Sequence, residues 1–496
     1  MRKKVVIIGS GLGGLSAAVL LAKAGFDVLV LEQSTQIGGC LQCFVRNGIK
    51  FETGMHFIGS AERNQVLGKL MRVLEIDDKI SLSRLNPDGY DIVSLAGHRY
   101  QFANGRQRFI EQMCQYFPDQ RDCLNAYWDM IEKVAKSSSL HNLRFNAASN
   151  AFDIEYQMRS IDDVVESVFT NPLLAKVIVG NLPLYAAEKG KTPFGTHAFI
   201  MDFYNSSAFR IVGGSDWIAK ALYDTLRHYG GDILLRKQAK RIVCNGVKAI
   251  GVECSDGSFF GADYVISTPH PIRTIEMLEG VHLVRPAYCN RIKQSQQTVG
   301  GFAVYLHFKK NAIEYMNYNY YSYTQDSPWN CELYNKETWP KGFLYMHFCH
   351  EPFPRYAQAG VVLSYMQMED VKKWIGTKIG HRGEEYESFK QSHAEKLLNS
   401  LEKDFPGITD AIDHYYTSTP LTYLDYTGTE GGSMYGIAKD VHSSFGGRVS
   451  HRTRIPNLFL AGQNVNSHGM LGTLVGTIVA CSELIPDEQL YMLLKE

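Results

Sequence analysis

The sequence predicts an α/β protein: a Rossmann-like parallel sheet carrying a β-meander, joined to an α+β part with an antiparallel sheet and a helical insertion. Three observations carry that expectation. Residues 5–8 (VVII) are an unbroken apolar run of strand length leading into Gly9, Gly11 and Gly14 at G-x-G-x-x-G spacing, with the helix-like LSAAVLLAKAG behind them. A second apolar run, 28–31, ends in Glu32, at the distance where an acidic side chain accepts hydrogen bonds from a ribose. Residues 232–271 read as successive short strands broken at Asn245-Gly246 and Asp256-Gly257, dipeptides that accept the positive φ of hairpin turns.

Each glycine of the first motif has a separate task. Gly9 permits the turn, Gly11 lets the backbone approach a pyrophosphate with no Cβ in the way, and Gly14 lets the helix pack close to the strand. The anion then meets unpaired helix N–H groups. The loop Gly9, Ser10, Gly11, Leu12, Gly13, Gly14, with Glu32 and Gln33 beside it, is therefore the expected dinucleotide site.

The following residues narrow the ligand. Glu32 is followed by QSTQIGGCLQCF (33–44) and then by FETGMHFIG (51–59), an extension that NAD dehydrogenases have no reason to carry. An acidic strand end followed closely by Gly38-Gly39 resembles the FAD-binding fold shared by amine oxidases, phytoene desaturases and carotenoid isomerases. Within that superfamily, GGCLQCF followed by FETGMHFIG resembles the retinol saturase (all-trans-retinol 13,14-reductase) branch. Desaturases and amine oxidases usually place a basic residue after the glycine pair, where this chain has Cys40. The closing stretch 455–485, the segment 419–437 (TPLTYLDYTGTEGGSMYGI), RIVGGSDWIAKAL (210–222) and ADYVISTPHP (262–271) are similar to the same family, whereas 281–419 carries no matching motif.

The resemblance implies FAD as cofactor. Gly38, Gly39, Cys40, Met55 and His56 would join the glycine loop around it, backbone near Ala239 would lie against the adenine, and Gly462, Gln463, Leu471 and Gly472 would close the site. Gln463 stands where the superfamily commonly has an acid for the ribityl hydroxyls. The implied activity is reduction of a carbon–carbon double bond in a polyene, retinoid-like or other lipophilic substrate, by hydride from reduced flavin and a proton from an acid. Candidate acids are His56, His307, His347 and His468 and the tyrosines beside them. Competing readings are a desaturase or isomerase of the same superfamily, an amine oxidase, and a flavoprotein acting as scaffold or lipid carrier without turnover. The chain holds one G-x-G-x-x-G, so reducing equivalents come either from NAD(P)H visiting the site or from a redox partner protein.

Composition sets outer bounds. With 496 residues and 45% apolar content the chain is long enough for more than one substructure, and 51 basic against 51 acidic residues exclude a dedicated nucleic-acid binder. The start of the chain reads as a core strand, with no signal-peptide pattern, and no run of eighteen apolar residues predicts a membrane span. Ten scattered cysteines fit reduced thiols in a cytoplasmic setting, with peripheral membrane contact left open. Cys40 and Cys43 form the one C-x-x-C, read as two loop residues near the cofactor in preference to a redox dithiol. No metal site is expected.

Along the chain, 64–74 reads as an amphipathic helix, 90–102 as a strand pair around Ala96-Gly97, and 104–117 and 119–136 as helices parted by Pro118. Ser160 with Asp163 suggests a capping box at the head of a helical stretch to 204. Residues 105–204 are either a helical insertion over the flavin or an ordinary helical subdomain. Residues 299–308, 342–348 and 361–368 read as strands of a second sheet. Two of them repeat one pattern, Tyr305-Leu306-His307-Phe308 and Tyr345-Met346-His347-Phe348, each placing a Tyr and a His on one face. That face either roofs a substrate cavity or lies under helices. The tyrosines at 315–323 are equally open, and 384–405 reads as a charged amphipathic helix, most simply a solvated one. Gly469, Gly472 and Gly476 keep the last long helix slim. The expected division is a discontinuous FAD-binding domain from 1–90, 205–280 and 445–496, and a substrate domain from 91–204 and 281–444.

Overall fold

The computed structural model describes residues 2–138, 154–278, 284–443 and 448–495. Five parallel strands form the first sheet, in the order Asp232–Leu234, Asp27–Leu31, Lys4–Ile8, Tyr264–Ser267, Leu458–Leu460. Lys4–Ile8 is central, and the chain turns to one side of it for the next strand and to the other side later. That makes the carboxyl end of Lys4–Ile8 the topological switch point where open α/β sheets bind ligands. The helix Leu12–Lys23 is buried from Gly13 to Ala22, because its alanines and glycines let it lie close between the sheet and the closing helix Gly469–Cys481. The meander is present as Ala239–Cys244, Ala249–Cys254 and Phe259–Gly261, with Gly246 and Gly257 at φ +88° and +84° in its turns.

The second sheet has seven strands, in the order Ile412–Ser418, Gly300–Phe308, Ala359–Met366, Gly342–His347, Asn319–Tyr323, Asp91–Leu95, His98–Phe102. Every pair is antiparallel except Asn319–Tyr323 with Asp91–Leu95. The tyrosine run thus supplies a central strand. One face of the sheet packs into the same core as the helices Arg106–Tyr116, Arg121–Ser137 and Phe194–Ser206. The other is covered by Glu384–Asp404, an amphipathic helix as its sequence suggests, which buries Tyr386, Ala394, Leu397, Leu398 and Leu401 against the sheet and leaves only its opposite side solvated. Ser160 caps Ile161–Val168 by accepting the Asp163 N–H at 3.3 Å. Among the described residues no helix is long and apolar enough to cross a membrane.

Candidate active site

The glycine loop is built as its spacing requires. Gly9 has φ +94° and its N–H donates to the Leu31 carbonyl at 2.8 Å, tying the turn to the neighbouring strand. A Cβ on Gly14 would lie 2.0 Å from the Gly9 carbonyl oxygen, and one on Gly13 would lie 2.9 Å from Gly462 Cα, so these glycines serve contact between backbones. Gly11 differs: a Cβ there meets nothing within 4 Å and would stand in open space. No side chain caps the helix that begins at Leu12, and its first turn holds no acidic residue, so the N-terminal N–H groups face that space unpaired by side chains. Glu32 is fixed nearby, one carboxylate oxygen accepting the Ser10 N–H at 2.9 Å and the Ser10 hydroxyl at 2.6 Å, the other accepting the Ser34 N–H at 2.8 Å. This leaves lone pairs for a diol.

A cavity of about 750 Å³ starts at this cradle and runs toward the seven-stranded sheet. Of the expected cofactor residues, all line it except Gly14, Leu471 and Gly472. Gly14 is buried in the turn, and the other two line a smaller cavity of about 250 Å³ that shares Leu184, Tyr204, Gly469 and Met470 with the large one. The donor set and the cradle fit a dinucleotide, with an anion at the helix start and hydroxyls at Glu32. Cys40 lines the large cavity and Cys43 lies 3.6 Å from the Ser215 hydroxyl; both are free, burial raises the Cys40 thiol, and burial first and Glu52 second push Cys43 up to about 12. Thiols held protonated in this way suit packing and not exchange chemistry.

The four histidines separate. His56 lines the large cavity, stacks on Phe348 with ring centroids 5.8 Å apart, and has Nδ1 3.6 Å from the buried Glu52 carboxylate. Its carbonyl accepts from the fully buried Arg210 at 3.3 Å, which fixes the loop. His468 lines the smaller cavity, with neither ring nitrogen hydrogen-bonded among the described residues and its ring 5.1 Å from that of Tyr435; burial lowers it to about 3, leaving it neutral. His307 and His347 line neither cavity. His307 sits with Asp413 and His414 at the sheet margin, their ligand atoms within 4.8 Å of one another.

His347 is turned to the opposite face of the sheet from the cavity. Register explains it: Tyr305 pairs with Val361 and Val361 with Met346, so the two Tyr-x-His patterns are one residue out of step and point to opposite sides. Tyr305 packs with Phe51 on the cavity side, whereas Tyr345 and His347 face the other core, hydrogen-bonded to one another at 2.5 Å, His347 Nδ1 accepting the Met316 N–H at 2.9 Å. The cavity wall from this strand is apolar, Leu344 and Met346, continued by Leu363.

Several lining residues are absent from the sequence reading. Tyr204, Tyr423 and Tyr435 bring phenols to the large cavity, all held well above the usual tyrosine range by burial. Tyr423 and Tyr435 fall within the 419–437 motif, a signal that marked the segment without marking which side chains point inward. Lys439, in the smaller cavity, had no signal.

The model of the flavin-containing amine oxidoreductase family matches residues 12–481. Among curated proteins, the chain is 27% identical to the all-trans-retinol 13,14-reductase of Rattus norvegicus, over 98% of this chain and 86% of the relative. It is 24% identical to prolycopene isomerase 1 of an Oncidium hybrid, over 92% and 79%. Among solved structures, an oxidoreductase from Methanosarcina mazei superposes with a TM-score of 0.64 at 17% identity, covering 96% of this chain and 99% of that one. Cyclohexylamine oxidase from Brevibacterium oxydans gives 0.61 at 14% identity, covering 100% and 99%, and both likenesses speak for the fold. With a glycine cradle at the switch point and a family model spanning nearly its whole length, the chain belongs to the flavin-containing amine oxidoreductases.

Proposed function

We propose that this flavin-dependent oxidoreductase holds FAD and reduces a carbon–carbon double bond of a polyene lipid. The observation that carries the reading is the apolar wall of the cradle cavity, Leu344, Met346, Leu363 and Met434, together with a neighbouring cavity of largely apolar walls that shares Leu184, Tyr204, Gly469 and Met470 with it. A polar nucleotide end and a long water-poor end suit a dinucleotide beside an extended hydrocarbon. The retinol reductase and prolycopene isomerase relatives support this substrate class.

Gly11 and the N–H groups after it would receive the pyrophosphate, Glu32 the ribose, and backbone near Ala239 the adenine. When bound and reduced, the flavin supplies a hydride. The protein's part is to position the alkene, exclude water and deliver one proton. We assign the proton to His56, because it is the one candidate histidine that lines the cradle cavity and has a carboxylate, Glu52, to hold its imidazolium. Tyr423 and Tyr435 stay protonated and complete a neutral wall. The amine oxidase reading is disfavoured by Lys439, a cation buried in a cavity whose described lining carries no carboxylate and which would repel a protonated amine.

Photoreduced holoenzyme mixed anaerobically with all-trans-retinol should recover the oxidised-flavin spectrum and release a product heavier by two hydrogens. A product of unchanged mass would mean isomerisation, one lighter by two hydrogens desaturation, and failure of every polyene to reoxidise the flavin would overturn the proposal. His56→Gln should bind and photoreduce flavin normally and lose most of the reoxidation.

A further inference from the structure

Lys439 is 7% exposed, and its Nζ has no hydrogen-bond partner among the described residues. The charge bearing on it is another cation, Arg448, and not a carboxylate. Leaving an ammonium buried and unpaired is costly, and proteins retain such a group where something of opposite charge comes to meet it. Beside it lies His468, buried, neutral, with both ring nitrogens unpartnered among the described residues and one N–H to give. These groups sit in the 250 Å³ cavity, whose other walls are largely apolar, among them Pro193, Phe199, Ile200, Val475 and Val479. That cavity shares Tyr204 and Met470 with the cradle cavity on one side and, on the other, Arg448 and Asn466 with a third cavity carrying Arg291 and His451. No Asp or Glu lines either basic cavity among the described residues.

We propose that the smaller cavity is an anion subsite of the substrate pocket, with Lys439 the counter-ion for the carboxylate of an unsaturated lipid acid whose hydrocarbon chain extends toward the flavin cradle. An uncharged polyene leaves Lys439 unpaired; a carboxylate satisfies it by charge-assisted hydrogen bonds and gives the His468 N–H an acceptor. This specifies the substrate class within the polyene-reductase reading and rests on that reading for the identity of the tail.

The test is equilibrium titration of oxidised holoenzyme with all-trans-retinoic acid, its methyl ester and all-trans-retinol, followed by flavin absorbance. The acid should bind at least about tenfold more tightly than the ester. Lys439→Met should erase most of that difference without weakening the ester, and Lys439→Arg should restore part of it. Because burial and Arg448 lower Lys439 to about 8, affinity for the acid alone should fall as pH rises above that value. Equal affinities for acid and ester in the unaltered protein, a preference untouched by Lys439→Met, or no binding of any probe would overturn the proposal, and the acid–ester comparison needs no variant to fold. Palmitate against methyl palmitate separates the two readings: with no alkene to reduce, the saturated acid should still be preferred. Such a preference alongside failure of every polyene to reoxidise the flavin would sink the reductase reading and leave the anion subsite standing.

Discussion

Gly11 and Gly14 lie three residues apart and fail for opposite reasons when given a methyl group. Gly14→Ala drives a Cβ to 2.0 Å from the Gly9 carbonyl, in a turn that cannot yield without losing its bond to Leu31, so flavin-stripped protein should lose about 1–3 kcal/mol in urea melts. Gly11 has φ −67° and ψ 177°, which alanine adopts without strain, and no atom within 4 Å of the new methyl. Gly11→Ala should therefore leave the stripped protein within about 0.5 kcal/mol of the original and, on the proposed site, abolish flavin retention, because the methyl would occupy the space proposed for the pyrophosphate. Loss of stability in both variants, or in neither, would refute this division of labour. The distinction was legible before any coordinates, since the motif is local: a turn, an approach and a helix packing follow from spacing within one strand, loop and helix. Lys439 was illegible for the converse reason, since its meaning comes from His468 and Arg448, brought together only by the fold.

At the level of the strand, composition specifies an element but not which way it faces. The alternation in 300–308 and 342–347 was sound, and both segments are strands, yet their two Tyr-x-His patterns point to opposite sides because pairing through Val361 is offset by one residue. Register between distant strands is set by what each face buries, and both faces of this sheet are covered, so no polar side marks the way out. The helix Glu384–Asp404 shows the same limit: its amphipathic pattern and its charges are genuine, but what its apolar stripe packs against comes only from the sheet beneath it. The consequence for His347 is testable. His347→Phe leaves the Met316 N–H without an acceptor, which should cost about 1–3 kcal/mol, while flavin content and reoxidation by polyenes stay unchanged. His347 is lowered from 6.5 to about 3 by burial and, secondarily, Arg210, so as pH falls between those values the unfolded chain takes up a proton that the fold refuses. Its contribution therefore diminishes stability progressively from about pH 6.5 downward, and His347→Phe should remove that share of acid lability. Lost reoxidation with unchanged stability would instead make His347 the acid.

Over the whole molecule, the cavity lies along the boundary between the two sheets. The parallel sheet and the seven-stranded sheet bury separate cores, and the large cavity takes walls from both, from Ile8 and Thr473 on one side to Leu344 and Leu363 on the other. Direct coupling across the boundary comes from the short sheet Ile58–Gly59, Ala208–Ile211, Leu82–Arg84 and from Phe194–Ser206, which puts Met201 in one core and Phe203 in the other. On the proposed site, flavin filling the cavity would add contacts to both bodies at once and bind only where both are in place. It should stabilise the assembly by about 4 kcal/mol when free flavin exceeds its dissociation constant a thousandfold. Calorimetry should show two transitions in flavin-stripped protein that merge into one, at higher temperature, as FAD is restored. Gly11→Ala should keep the two-transition profile at every FAD concentration, since it leaves both cores intact and removes only the ligand that joins them. A single transition in the stripped protein would show that the short sheet and the helix already make the two bodies one cooperative unit.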